Sequence, residues 1–263
     1  MKKALIQGLS LLAVVGAVWL GLSQIDFMRV FKVNHRTEST EDKLGDLFWK
    51  NIRNSETVIT NDSVNKYVQR IVDRIGEKNG FDTENIKLHI IQKDDLNAFA
   101  MPGDHMIVFS GLITECTTES ELAGVIGHEM AHIKNRHVMK KLVKELGLTV
   151  LLSMTTGGSG ETIQEAARIL SSSAYDRSME TEADFASVDY MIEADINPAP
   201  FADFLYKMSA GGEMPSEMYW ISTHPESQER AEAIVEYISD RKFETKPILT
   251  KVEWEYLQKE AAE

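Results

Sequence analysis

The stretch TESELAGVIGHEMAHIK at residues 118–134 predicts one continuous helix. Thr118 is followed three residues later by Glu121, a capping-box pattern that marks a helix start. Apolar side chains from Leu122 to Ile133 then recur at helical spacing. The polar residues in the middle of this helix are the starting point for any functional interpretation.

Within this helix lies the motif His-Glu-x-x-His. His128 and His132 are four residues apart and therefore share one face of the helix, so both imidazoles can reach one ion. Zinc accepts this geometry, and a catalytic zinc site has three protein ligands plus water in an open position. The motif predicts one zinc ion per chain, with Glu129 placed to activate the water for attack on a peptide bond.

A third histidine ligand is not expected nearby. The extended form of the motif has glycine and histidine where this chain has Asn135 and Val138. His137 follows His128 by nine residues, which places it about 180° around a continuous helix. It can join the same ion only if the helix ends first. We predict instead that His137 is a cation that faces the carbonyl groups of the helix C-terminus.

A carboxylate is the other option, and the sequence ETEAD at residues 180–184 offers three. Glu180 and Asp184 share one helix face, whereas Glu182 is turned about 200° away. An acidic, solvated helix face would explain this sequence alone, but the upstream motif favours Glu180 as the third zinc ligand. Asp184 is then placed to accept the far N–H of a ligating histidine and fix its tautomer.

The remaining patterns predict an α+β fold that is mainly helical with a small sheet. Lys93-Asp94-Asp95 and Pro102-Gly103-Asp104 are turn signals next to the strands. The segment from Leu146 to Met154 is too short to cross a bilayer and is predicted to be a core helix, and the glycine-rich break after it is a candidate mobile loop. Strands are predicted at 86–90 and 106–110, and helices at 62–80, 162–195, 201–209 and 225–239.

The N-terminus differs from the rest of the chain. Lys2 and Lys3 precede an uncharged stretch from Ala4 to Gln24, about the length needed to span a bilayer. No small-x-small cleavage site follows, so we predict an uncleaved anchor rather than a removed signal peptide. The predicted domains are therefore an anchor or signal segment at 1–24, a linker at 25–40 and a catalytic domain at 41–263.

Composition excludes some classes of partner. The chain carries 41 acidic and 28 basic residues, a formal charge of −13, which should repel nucleic acid. Cys116 is the single cysteine, so no internal disulfide can form.

Four motifs together carry a family resemblance. NAFAMPG at 97–103, GHEMAH at 127–132, ETEAD at 180–184 and THPESQER at 223–230 occur in the order found in the HtpX-type membrane-associated zinc metallopeptidases. That family also includes the CAAX prenyl proteases, the mitochondrial OMA-type proteases and the periplasmic BepA-like proteases. The chain resembles a compact, single-anchor branch, because it has no second apolar stretch of about twenty residues.

The resemblance implies a gluzincin fold and a zinc endopeptidase that acts on extended or misfolded polypeptides in envelope quality control. It implies that Asn97, Ala98, Phe99 and Ala100 bind substrate along a strand edge. It also favours an active-site role for His224, as an oxyanion donor or as a cap on the zinc, over a place on the surface.

The position of Arg230 suggests that it pairs with Asp184. The expected location is a bacterial inner membrane with the catalytic domain in the periplasm, or the periplasm itself if the segment is cleaved. Two other functions stay open: a non-proteolytic, metal-binding adaptor or chaperone-like module, and a structural membrane-tethered protein in which the motifs are accidental.

Overall fold

The computed structural model describes residues 34–157, 159–209, 223–225 and 227–263, with side chains from Thr40 onward. Residues Thr40–Glu263 form one compact unit. The predicted anchor at 4–24 lies outside the described residues. Among the helices that are described, none combines the length and the apolar character needed to cross a membrane.

Helices dominate the described chain, and a short 3-10 turn at Thr83–Asn85 leads into the sheet. In chain order the helices are α1 Asn34–Ser55, α2 Asp62–Asn79, α3 Ser110–Glu115, α4 Glu119–Lys134, α5 His137–Leu146, α6 Leu148–Thr155, α7 Gly160–Ser172, α8 Arg177–Glu193, α9 Ala199–Ser209, α10 Ser227–Ile238 and α11 Lys251–Ala261.

Three strands form a small mixed sheet: β1 Lys87–Ile91, β2 Ala98–Met101 and β3 His105–Phe109. The strand order is β1-β3-β2, with β1 parallel and β2 antiparallel to β3. Gly103 and Asp104 both have positive φ in the tight β2–β3 turn. Because β3 lies between the other two strands, β2 is at an edge of the described sheet. The predicted combination of many helices and a small sheet is confirmed.

Helix α4 crosses the interior, and two glycines allow its neighbours to approach closely. A Cβ on Gly124 would lie 2.4 Å from Cβ of Phe201 on α9, and one on Gly127 would lie 2.7 Å from Oγ of Ser187 on α8. That hydroxyl also donates to the Gly124 carbonyl at 2.7 Å. The backbones of α4 and α8 are thereby brought together, which sets the spacing of the side chains between them.

Helix α1 was not predicted, and its first residues fall in what the sequence suggests is a linker. Because the helix begins at Asn34, residues 34–40 of the predicted linker are helical. Its apolar residues, Leu44, Leu47, Phe48 and Ile52, recur at helical spacing but occupy only the second half of the helix. Leu44 and Phe48 pack in one core cluster with residues of the sheet.

Two further predictions need correction. The helical region at 162–195 is interrupted between Ser172 and Arg177, where Ser173 is extended and the Tyr175 N–H donates to the Thr223 carbonyl at 3.2 Å. The apolar segment at 146–154 does form a helix, but Leu148 and Leu152 are 43% and 45% exposed. Helix α6 is therefore buried on one face only.

Candidate metal centre

The two histidines of α4 face one another in the interior. His128 and His132 are both fully buried, and their Nε2 atoms lie 2.9 Å apart. The start of α4 matches the predicted cap in part: Thr118 Oγ1 accepts from the Glu121 N–H, but the Glu121 carboxylate accepts from the Thr117 N–H. The i, i+4 spacing thus directs both imidazoles to one point.

Helix α8 brings the carboxylates to that point. Glu180 is 1% exposed, with Oε1 3.4 Å from His132 Nε2 and Oε2 3.7 Å from His128 Nε2. Asp184, one turn later, has Oδ1 2.9 Å from His128 Nδ1. The side chain of Glu182 is 57% exposed and points away from the cluster. The separation of these three carboxylates follows from helical geometry.

His224 joins the cluster from the segment before α10. Its Nδ1 lies 3.0 Å from both carboxylate oxygens of Glu180 and 3.2 Å from His128 Nε2. Its Nε2 lies 3.4 Å from Glu129 Oε1. Because His224 is fully buried, the alternative of a surface histidine is wrong.

The donor set fits a divalent metal ion. One ligand atom from each of His128, His132, Glu180 and His224 lies within 4.8 Å of the others. Tetrahedral zinc with ligands at about 2.0–2.1 Å has neighbouring donor atoms about 3.3 Å apart. The observed separations lie close to that value: 2.9 Å between Nε2 of His128 and Nε2 of His132, 3.2 Å from His128 Nε2 to His224 Nδ1, and 3.4 Å from His132 Nε2 to Glu180 Oε1. Imidazole nitrogens and one carboxylate are also the ligand types that zinc prefers.

The electrostatics of the cluster keep His132, His224 and Glu180 in the protonation states that a metal ligand needs. Burial lowers the pKa of His132 well below its ordinary value and lowers that of His224 to about 4, so both imidazoles are neutral at neutral pH. Burial opposes the charged form of Glu180, but the neighbouring His224 and the hydrogen bond with His132 outweigh it and lower its pKa. Burial also opposes the charged form of His128, but Asp184 and Glu180 raise its pKa overall.

Glu129 lies beside the cluster and between two polar partners. Its Oε2 accepts the Ala100 N–H of β2 at 2.8 Å, and its Oε1 faces His224. Complete burial raises the pKa of Glu129 to about 7, which His128 and the Ala100 hydrogen bond oppose. A carboxyl group with such a pKa can exchange protons near neutral pH.

The predicted substrate strand is buried against the same helix. Asn97, Ala98, Phe99 and Ala100 are at most 3% exposed, and the outer edge of β2 turns the Ala100 N–H toward Glu129. Phe99 and Met101 are packed in the core.

Arg230 confirms the pairing suggested by the sequence. Its Nε lies 2.7 Å from Asp184 Oδ2 and its Nη2 lies 2.6 Å from Asp184 Oδ1, while Nη1 lies 2.7 Å from Glu180 Oε2. Arg230 is only 7% exposed. The guanidinium lowers the pKa of Asp184 against the effect of burial, so the carboxylate beside His128 is ionised.

The expectation for His137 is wrong. Helix α4 ends at Lys134, Arg136 adopts φ 54°, and His137 begins α5 instead of closing α4. The His137 ring is buried, with Nδ1 3.0 Å from His132 Nδ1. It therefore contacts a predicted ligand from outside the cluster and lies in the first turn of a helix, not in the last.

Two more residues near the cluster were missed. The Tyr175 ring stacks on His132 with centroids 4.0 Å apart and planes at 26°. Lys141 Nζ lies 4.1 Å from the centre of the Tyr175 ring, and burial lowers its pKa to about 8. Neither residue belongs to a motif with a metal-ligand spacing, so the sequence offers no signal that distinguishes them from ordinary core residues.

A helix carrying His-Glu-x-x-His, a partner helix carrying the carboxylate and a small sheet beside them are the elements of a metallopeptidase domain. Comparison with known sequences agrees with this class. The sequence model of peptidase family M48 matches residues 62–238. The chain belongs to peptidase family M48.

Individual relatives are similar over the same part of the chain. It is 30% identical over 178 residues to the mitochondrial metalloendopeptidase OMA1 of Schizosaccharomyces pombe, covering 66% of this chain and 53% of that protein. It is 30% identical over 182 residues to the metalloprotease LoiP of Escherichia coli, covering 66% and 70%. The beta-barrel assembly-enhancing protease of E. coli is 24% identical over 207 residues, covering 72% and 42%. The chain thus spans about half of the OMA1 protein that it matches.

Proposed function

We propose that this chain is a zinc-dependent endopeptidase in which His128, His132 and Glu180 hold the metal. The observation that carries the proposal is the place of Glu129, a buried carboxylate next to a cluster of metal-ligand atoms. A binding module would need the cluster but not this carboxylate. The names of the OMA1 and LoiP relatives, a metalloendopeptidase and a metalloprotease, support the same reaction.

Zinc bound to these ligands would polarise the substrate carbonyl and lower the pKa of a water molecule. Glu129 would accept the proton of the attacking water and donate it to the leaving amine, so one carboxylate would serve as base and then as acid. Asp184, fixed by Arg230, accepts the Nδ1–H of His128. This contact favours the tautomer in which Nε2 carries no proton and faces the cluster.

Substrate would pair along Asn97, Ala98, Phe99 and Ala100 through those main-chain groups of β2 that point away from β3. The proximity of this edge to Glu129 supports the proposal, because a peptide bound there would run past the catalytic carboxylate. Such pairing requires an extended polypeptide, which favours unfolded or misfolded proteins as substrates.

All the proposed site residues are buried, so the site has to open before a polypeptide can enter. His224 faces both Glu180 and Glu129, and we propose that it caps the metal's remaining position in the closed state. Displacement of the segment that carries His224 would then free the position that water needs.

The proposed location is the bacterial inner membrane, with an uncleaved anchor at 4–24 and the catalytic domain in the periplasm. Lys2 and Lys3 before the apolar stretch support a membrane segment. The relative named a beta-barrel assembly-enhancing protease supports a role in the envelope. A mature N-terminus found after residue 20 would show cleavage, and resistance of the domain to protease in spheroplasts would place it in the cytoplasm.

The Glu129→Gln variant tests the reaction. The amide is close in shape to the carboxylate but cannot accept the proton, so zinc content and folding should be retained while cleavage of casein is lost. Glu193→Gln, on the exposed face of α8, is the matched control and should cleave at the wild-type rate. If the wild-type chain holds no zinc, or if Glu129→Gln cleaves casein normally, the proposal is wrong.

A further inference from the structure

His137 is a buried, titratable residue for which the proposed mechanism has no use. It begins α5, and its side chain is 0% exposed. It does not belong to the group of atoms that could hold the metal, which consists of His128, His132, Glu180 and His224 among the described residues. It contacts the cluster at His132, where its Nδ1 lies 3.0 Å from His132 Nδ1.

The chemistry of His132 determines which way the proton in this contact lies. An imidazole that binds a metal through Nε2 keeps its proton on Nδ1. The His132 Nδ1–H is therefore a donor. His137 Nδ1, at hydrogen-bonding distance from it, can accept this hydrogen bond only if it carries no proton. The proton of neutral His137 is then on Nε2.

The contact of His137 with Glu182 agrees with this assignment. His137 Nε2 lies 3.3 Å from Glu182 Oε2, and an ionised carboxylate oxygen accepts hydrogen bonds but cannot donate them. Each donor along the row His132, His137 and Glu182 thus meets an acceptor. The reverse arrangement would place a protonated His137 Nδ1 against His132 and force the His132 proton onto the nitrogen that faces the cluster.

We propose that His137 is a positioning residue for the metal ligand His132, accepting its Nδ1–H and in turn donating to Glu182. The proposal rests on the proposed function, since it assumes that His132 binds a metal. Each of the two histidine ligands then has a hydrogen-bond acceptor at its Nδ1: Asp184 for His128, and His137 for His132. It also gives a role to Glu182, which helical geometry turns away from the metal.

The alternative is that His137 only fills space between α4 and α8, and two substitutions separate these possibilities. His137→Phe keeps a ring of similar size but has no acceptor. His137→Asn is smaller, but its Oδ1 is bonded to Cγ as Nδ1 is in histidine, and it can accept the same hydrogen bond. A space-filling role predicts that phenylalanine is the better replacement, whereas a positioning role predicts asparagine.

The experiment measures the zinc affinity of the 263-residue chain by competition with a chelator of known affinity. His137→Phe should bind zinc about 10–100-fold more weakly than wild type, and His137→Asn should stay within about threefold. Equal affinity in His137→Phe and wild type, or a loss in His137→Asn as large as in His137→Phe, would overturn the inference. Urea unfolding of both variants shows whether each is folded.

Nitrogen-15 NMR of the zinc-loaded wild-type chain tests the same inference without a substitution. The expected tautomers are a protonated Nδ1 in His132 and a protonated Nε2 in His137. A proton on His137 Nδ1 would contradict the proposal even if a variant failed to fold. Failure of the wild-type chain to take up zinc would instead overturn the proposed function, so the two failures are distinguishable.

Discussion

Arg230 holds Asp184 through two parallel hydrogen bonds, from Nε to Oδ2 at 2.7 Å and from Nη2 to Oδ1 at 2.6 Å. Both side chains are almost fully buried, and Arg230 also contacts Glu180. One guanidinium therefore compensates two carboxylates that reach the candidate metal centre, and it ties α10 to α8.

Replacing this arginine should be costly. Arg230→Leu would leave Asp184 and Glu180 buried without their cation, and removal of one partner from a buried pair destabilises a protein by about 3–5 kcal/mol. Urea unfolding measures the loss. The control is Arg241→Leu, which removes a partly exposed partner of Asp189 and should cost about 1 kcal/mol or less. Similar losses in the two variants would contradict the role of burial.

The close approach of α4 to α9 gives a second prediction. Gly124→Ala would place a methyl group 2.4 Å from Phe201 Cβ, and such overpacking should lower the free energy of unfolding by about 1–3 kcal/mol. Gly160→Ala, at the start of α7 with no atom within 4 Å of the added Cβ, should be neutral or stabilising by about 0.4–1 kcal/mol. Denaturation of the two variants side by side checks the opposite signs.

The centre could be predicted to a large extent because its residues follow helical periodicity. His128 and His132 share a face for the same reason that Glu180 and Asp184 do, and Glu182 is excluded by the same rule. These relations are local, so they can be read before any tertiary contact is known. The contact between α4 and α8 is not local. It could be predicted because the histidines of α4 and the carboxylate of α8 are ligands that bind the same metal.

His137 shows where this reasoning stops. Helix α4 ends at Lys134 without a glycine or proline, and Arg136 takes a left-handed conformation that non-glycine residues rarely adopt. Arg136 forms an ion pair there with Glu41 of α1, which is far away in the sequence. A distant contact therefore moves His137 to the ring of His132, and no local pattern contains that information.

A separate histidine pair on the sheet predicts a dependence of stability on pH. His89 Nε2 lies 2.9 Å from His105 Nδ1, and its ring stacks on Trp49 with centroids 3.6 Å apart. Lys87, Asp46 and Asp42 are charged groups close to the pair. Burial, with His105 and Lys87, lowers the pKa of His89 from 6.5 to about 4.

Between pH 6.5 and pH 4 the unfolded chain binds a proton at His89 that the folded chain does not, so stability falls as the pH falls through this range. In His89→Phe, which keeps a ring against Trp49, this contribution is absent. Wild type should lose about 1 kcal/mol more than the variant between these pH values, after allowance for partial exposure of the ring. Parallel curves of unfolding free energy against pH would contradict the prediction.

The capping role of His224 predicts that its removal activates the enzyme. His224 Nδ1 lies 3.0 Å from Glu180 and belongs to the same group of donor atoms as the three proposed ligands, which favours a cap over an oxyanion donor. If the open conformer is a minor state of about 0.1–10%, His224→Ala should raise casein turnover about tenfold or more. Loss of an oxyanion donor would instead lower turnover by about 10²–10³.

Two measurements make the outcome of His224→Ala decisive. Zinc content should be unchanged, because His128, His132 and Glu180 still provide the three protein ligands of a catalytic site. Turnover should disappear in the double variant Glu129→Gln with His224→Ala, which shows that the added activity comes from this centre and not from a contaminating protease. Unchanged turnover in the single variant would exclude both roles and leave His224 as a packing residue next to Glu180.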